Sequence, residues 1–88
     1  MMIAAIEMGG TKTIAGFVDK AGQIHSRTVF KTDTSDFHKN LYKACDLLKE
    51  QAARLQLPSS EISGIGISLP GMVDTPGTRL VRAVYPGW

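Results

Sequence analysis

Cysteine is almost missing from this chain. Cys45 stands alone among 88 residues, so no internal disulfide framework is available and too few thiols exist for a zinc site. Charge of one sign is also lacking: ten Lys and Arg face eight Asp and Glu, leaving a net +2. That is too weak a bias to argue for nucleic acid or an anionic membrane, both of which want a clustered basic face. No apolar run approaches the roughly 18–20 residues a membrane span requires. The opening stretch Met1 to Ile6 has no basic segment, and Glu7 cuts it short, so the sequence reads as cytoplasmic and without a secretory leader. Aromatics are sparse at 7%, although 43% hydrophobic and 20% charged residues are ordinary for a soluble globular protein. Internal repeats and low-complexity segments are absent too. A chain this short buries only about 60–65% of the surface its unfolded form exposes, which limits it to one small domain with a modest core.

What is present reads as an α/β unit. Met2 to Met8 is a short apolar run, Gly9-Gly10 follows, and Thr13 to Asp19 favours β-structure again. A glycine pair between two such runs is a hairpin signal, because glycine reaches positive φ without a Cβ clash. Asp19-Lys20-Ala21-Gly22 is a second turn with a type I pattern. Beyond it, Gln23 to Lys31 alternates, with Ile24, Ser26, Thr28 and Phe30 on one face, completing a three-strand antiparallel meander. The period then changes. Phe37, Leu41, Cys45, Leu48, Ala52 and Leu55 form the stripe of an amphipathic helix over about Ser35 to Leu55. Thr34 or Ser35 is the expected cap, Asp36 suits the positive end of the helix dipole, and Pro58 forbids continuation. Next, Ile62 to Leu69 reads as a strand with a large-residue face (Ile65, Ile67, Leu69) expected to pack a core. Its other face, Gly64, Gly66 and Ser68, is nearly bare. A strand following a helix implies a right-handed parallel crossover, which places this strand beside the first. A short strand is expected between Arg79 and Val84. The resulting sheet has an exposed parallel edge, which α/β proteins normally cover, so the chain reads as the opening part of something larger.

The segment Glu7-Met8-Gly9-Gly10-Thr11-Lys12 carries the most chemistry. Glycines can turn backbone N–H groups toward phosphate oxygens, Thr11 adds a hydroxyl donor and Lys12 a positive charge. Glu7 could hold Mg²⁺ directly or through water. The same residues would also serve as a plain hairpin with a solvated acid and lysine. Neither of the longer glycine-rich phosphate signatures is matched. Cys45 lies on the helical stripe as a small core residue. His25 and His38 lack partners at metal-ligand spacing, and Asp74 reads as a turn residue.

Three features occur in order: Glu7 to Lys12, the turn Asp19 to Gly22, and Gly64-Ile65-Gly66-Ile67-Ser68-Leu69-Pro70-Gly71-Met72-Val73-Asp74. With Pro86-Gly87-Trp88 at the end, the chain resembles the N-terminal part of the ROK family of repressors, open reading frames and sugar kinases. The resemblance covers essentially the whole chain. It implies a partial actin-like ATPase (ribonuclease H-like) lobe, with residues 1–88 the N-terminal portion of a two-lobed domain. It further implies that Glu7, Gly9, Gly10, Thr11 and Lys12 face the phosphates of ATP, that Glu7 serves Mg²⁺, and that Pro70 and Gly71 border the sugar. The expected activity of the complete protein is phosphoryl transfer from Mg-ATP to a hexose or N-acyl amino sugar, as a homo-oligomer.

Departures qualify that expectation. The family usually has Asp where this chain has Glu7, a change that keeps the acid and tilts toward fructokinase-like members. Val84 stands where many sugar kinases have a sugar-contacting Asn. The family's catalytic aspartate, its zinc motif and its second lobe would all lie beyond Trp88, so this chain alone is expected to be inactive. The alternative is a sugar-sensing transcriptional regulator of the same family. Such members carry a winged helix-turn-helix ahead of the first strand, for which a strand starting near Met2 leaves no room.

Overall fold

In a computed structural model, residues 1–69 are described in full, together with the backbone of two short strands at 71–73 and 80–83. Strands β1 (Met2–Met8), β2 (Lys12–Asp19) and β3 (Ile24–Lys31) form the antiparallel meander, and helix α1 spans Phe37–Arg54. A 3-10 turn at Ser59–Glu61 leads into β4 (Ile62–Ser68), and β5 (Gly71–Val73) and β6 (Leu80–Ala83) follow. The main sheet runs in the order β3-β2-β1-β4, with β4 parallel to β1, as the crossover argument requires. β5 and β6 pair antiparallel in a sheet of their own.

The turns are set by local chemistry. Asp19 Oδ1 accepts from the backbone N–H groups of Ala21 and Gln23, both at 2.9 Å, while Gly22 takes the positive φ of 85° that the turn demands. His25 Nε2 lies 2.8 Å from Asp19 Oδ2, and this hydrogen bond is the leading cause that holds the Asp19 carboxyl below its ordinary value. One register shift, between Phe17 and Val18, pairs Val18 with Ile24 directly after Phe17 with Ser26. The extra residue takes Ile24 out of the alternation, so only Ser26, Thr28 and Phe30 of β3 turn toward the helix.

Side-chain alternation gives the sheet two different faces. Ala4, Ile6, Met8, Thr13, Ala15 and Phe17 point to the side on which α1 packs and are buried. Helix α1 meets them with Ala44 and Leu48, and Phe30, Leu41, Cys45 and Ala52 complete the core from its margin. Two buried polar residues, Asn40 and Gln51, belong to the same helix face. The buried line is therefore rotated by about one residue from the apolar stripe expected from sequence, and Leu55 is left exposed. The cap also differs from expectation. It is Asp36, whose side chain accepts from the Lys39 backbone N–H at 3.1 Å, and not Thr34 or Ser35.

β4 departs most from the sequence reading. Ile65 and Ile67 lie on the helix side of the sheet, in register with Ala4 and Ile6, yet remain 62% and 49% exposed. Helix α1 sits over β2, so β4 extends the apolar face beyond the cover that the helix provides. The opposite face at Gly64 and Gly66 is bare, as expected, with no atom within 4 Å of where a Cβ would stand.

Candidate functional site

The hairpin between β1 and β2 is closed by the Gly9 N–H, which donates to the Lys12 carbonyl at 2.9 Å. A Cβ at Gly9 would stand 3.0 Å from that same oxygen, so the turn is tight enough to disfavour any side chain there. Gly10 is half-buried beside it, and Thr11 and Lys12 are exposed. Alternation sends Met8 and Thr13 into the core, and Glu7 and Lys12 to the opposite, open face. Glu7 is exposed at the C-terminal end of β1. The antiparallel register places Ile14 on one side of it, and the parallel register places Ser68, the last residue of β4, on the other.

The C-terminal ends of two adjacent parallel strands thus meet at Glu7 and Ser68. This is the edge of an open α/β sheet outside which ligands are usually bound. Four of the five residues expected to face a nucleotide, Gly9 to Lys12, form the turn itself, and the fifth, Glu7, stands two residues before it. Ser68 joins them through the β1–β4 register, which the sequence pattern at Gly64 to Ser68 indicated only as a bare strand face. Pro70 and Gly71 are the residues expected at the sugar. Gly71 begins β5, paired with Ala83, and Pro70, Asp74, Val84 and Trp88 lie outside the described residues.

A second tier of contacts fixes the hairpin against the rest of the lobe, and sequence reasoning did not find it. Thr11 O accepts from the Thr32 N–H at 2.9 Å, and the Thr13 and Thr32 hydroxyls share a buried hydrogen bond of 2.8 Å. From Thr32 the chain runs directly into a polar clasp on α1. Asn40 Oδ1 accepts from the Asp33 N–H at 2.8 Å, and its amide donates to the carbonyls of Asp33 and Asp36 at 2.7 and 2.9 Å. Asp33 itself is held by hydrogen bonds from the Ser35 hydroxyl and backbone N–H and from Lys39. Together these lower its carboxyl to about 2. The only sequence signals for this network are short polar side chains at positions where a strand and a helix would otherwise bury aliphatic ones.

The site can accommodate Mg²⁺ only in a particular way. Among the described residues no group of three or more His, Cys, Asp or Glu converges on one point. Magnesium is commonly held by one or two carboxylates, several waters and substrate phosphates, and Glu7 with a nucleotide's oxygens fits that donor set. Nothing comparable for zinc lies among the described residues, where Cys45 is partly buried against the core.

A four-stranded mixed sheet with its parallel pair opening on a glycine turn, covered on one face by a helix, defines part of a lobe of the actin-like ATPase fold. The ROK family model matches residues 3–88, and the chain belongs to that family. The structure is similar to a ROK family glucokinase from Streptomyces griseus, solved with glucose and AMPPNP. The TM-score is 0.80 at 23% identity, over 100% of this chain and 26% of that one. It is also similar to Lmo2764 of Listeria monocytogenes, a provisionally assigned N-acetylmannosamine kinase. There the TM-score is 0.66 at 30% identity, over 84% of this chain and 23% of that one. A ROK family protein from Streptococcus pneumoniae, solved in complex with sucrose, matches with a TM-score of 0.55 at 30% identity, over 86% and 23%. The chain therefore spans about a quarter of the length of these solved relatives. Functionally curated proteins give no sequence match. No helix among the described residues is long and apolar enough to cross a membrane.

Proposed function

We propose that residues 1–88 are the N-terminal portion of the actin-like domain of an ATP-dependent sugar kinase, and that the turn from Gly9 to Lys12 grips the nucleotide's phosphates. The observation that carries this reading is the position of the turn. It sits at the C-terminal end of β1, beside the end of the parallel strand β4, with Glu7 and Lys12 on one open face. Backbone N–H groups and the Thr11 hydroxyl would donate to phosphate oxygens, and Lys12 would offset their charge. Glu7 would orient Mg²⁺, which when bound neutralises charge on the transferring phosphoryl group.

Pro70 and Gly71 would border the sugar. The general base that takes the proton from the acceptor hydroxyl is assigned to the remainder of the polypeptide, along with any zinc site and the second lobe. The acceptor is a hexose or N-acyl amino sugar, a choice supported by what the glucokinase and the provisionally assigned N-acetylmannosamine kinase are named for. The test is ADP release by the complete protein across a panel of hexoses and N-acyl amino sugars. ATP consumption should depend on sugar, and Glu7→Ala should lower turnover by about a hundredfold or more, as loss of a group acting on transition-state charge does. Sugar-independent turnover, or an unimpaired Glu7→Ala enzyme, overturns the assignment.

A further inference from the structure

The geometry points to Lys31 as a second cation for the nucleotide's polyphosphate tail, acting with Lys12 as a two-lysine clamp. This rests on the reading of the Gly9 to Lys12 turn as a phosphate site and adds a residue that the turn motif does not contain.

Lys12 opens β2 and Lys31 closes β3, and the register sets them directly opposite one another. Their neighbours Thr11 and Thr32 are joined by the Thr32 N–H to Thr11 O hydrogen bond of 2.9 Å. Lys12 and Lys31 are therefore a non-hydrogen-bonded pair, the kind whose Cα atoms approach to about 4.5 Å and whose side chains stand closest. Both are exposed, and alternation puts both on the face that carries Glu7, away from α1.

Like charges directly opposite across a strand pair destabilise it. Among the described residues, no ion pair relieves this like-charged one. The ion pairs among the described residues are Asp19 with His25 and Asp33 with Lys39. Asp33, the acid closest to Lys31 in sequence, is thus committed to Ser35 and Lys39. Glu7 is set diagonally from Lys12, across the Glu7–Ile14 register, and forms no ion pair among the described residues. Elsewhere along β2 and β3, directly opposed residues are complementary or neutral, such as Ile14 with Val29 and Ala15 with Thr28. An extended anion bridging two ammonium groups at this spacing turns the repulsive pair into an attractive site. A chain of phosphates brings more negative charge to the two lysines than a single phosphate does.

The test is calorimetric titration of the 88-residue chain with inorganic tripolyphosphate at low salt, alongside Lys12→Met, Lys31→Met and Lys20→Met. Lys20, at the far turn, controls for non-specific charge. Lys31→Met should weaken tripolyphosphate about five- to tenfold and Lys12→Met at least as much, with Lys20→Met within about twofold of the parent. Thermal melts give a readout that a merely structural role would not produce. Without anion, Lys31→Met should melt at or above the parent at low salt, and tripolyphosphate should raise its midpoint less than it raises the parent's. Lys31→Gln repeats both measurements with a polar replacement, should the methionine associate. ATP in place of tripolyphosphate separates a nucleotide tail from free polyphosphate, since a nucleotide site binds ATP at least as tightly. If Lys31→Met and Lys31→Gln bind like the parent while Lys12→Met does not, Lys31 is idle and the turn remains the phosphate site. If the parent binds no tripolyphosphate, the clamp and the phosphate reading of the turn fall together.

Discussion

Gln51 shows how a polar residue can hold a core together. It is fully buried, and its amide donates to Ala15 O at 2.9 Å and to Thr28 Oγ1 at 3.0 Å. Its carbonyl accepts from the Ser26 hydroxyl. One side chain thus ties α1 to two neighbouring strands, and no buried side-chain N or O among the described residues is left without a partner. Gln51→Ala leaves a cavity and strands the Ser26 and Thr28 hydroxyls, so it should cost about 2–4 kcal/mol in urea unfolding. Gly16 is the complementary case, defined by what cannot be added. A Cβ there would stand 2.4 Å from the Ser26 carbonyl, so Gly16→Ala forces β2 and β3 apart where the register shifts. It should cost about 1–3 kcal/mol by the same measurement, as overpacking does.

At the scale of elements, the start of α1 joins stability to pH. Asp36→Ala removes the cap that accepts from the Lys39 N–H and should cost about 1 kcal/mol. Asp33 is lowered to about 2 from 3.8 by Ser35 and Lys39. A carboxyl lowered on folding contributes stability that is fully present above the unfolded value and lost as pH falls toward the folded one. Thermal midpoints should therefore drop between about pH 4 and pH 2, and Asp33→Asn should flatten that drop, Asp19 keeping a smaller share through His25. These elements also show what the sequence reveals. Period and turn chemistry located β1 to β4, α1 and the strand order, because alternation and glycine placement are local. The Gly9 to Lys12 turn was legible for the same reason. The rotation of α1 was not. Asn40 and Gln51 look like surface residues until their partners on Asp33, Ala15 and Thr28 are known, and those partners lie 7 to 36 positions away. Lys31 was equally silent, since only the register brings it to Lys12.

At the scale of the whole molecule, the apolar surface is unevenly covered. Ile6 and Ile67 are register partners on the same face of adjacent strands, yet Ile6 is 2% exposed and Ile67 49%. Beside α1 a groove of about 390 Å³, lined by Ala4, Phe17, Leu48, Ala52, Ile62 and Ile65, continues this open region. Parallel strands in α/β proteins are normally covered on both faces, so a β4 with its isoleucines in water is stabilised far less by them than β1 is by Ile6. Replacing both Ile65 and Ile67 by Ser in this 88-residue chain should cost only about 1–2 kcal/mol for the pair, because about half or more of each side chain is already in water. Ile6→Ser, which puts a hydroxyl among Ala15, Phe17 and Leu48, should cost about 3 kcal/mol or more. The double replacement should also reduce self-association, since exposed apolar patches of this kind drive it. Sedimentation velocity across a concentration series, with urea unfolding of the same samples, measures both effects. A double variant destabilised as much as Ile6→Ser would mean that α1, or another part of the chain, covers β4 after all.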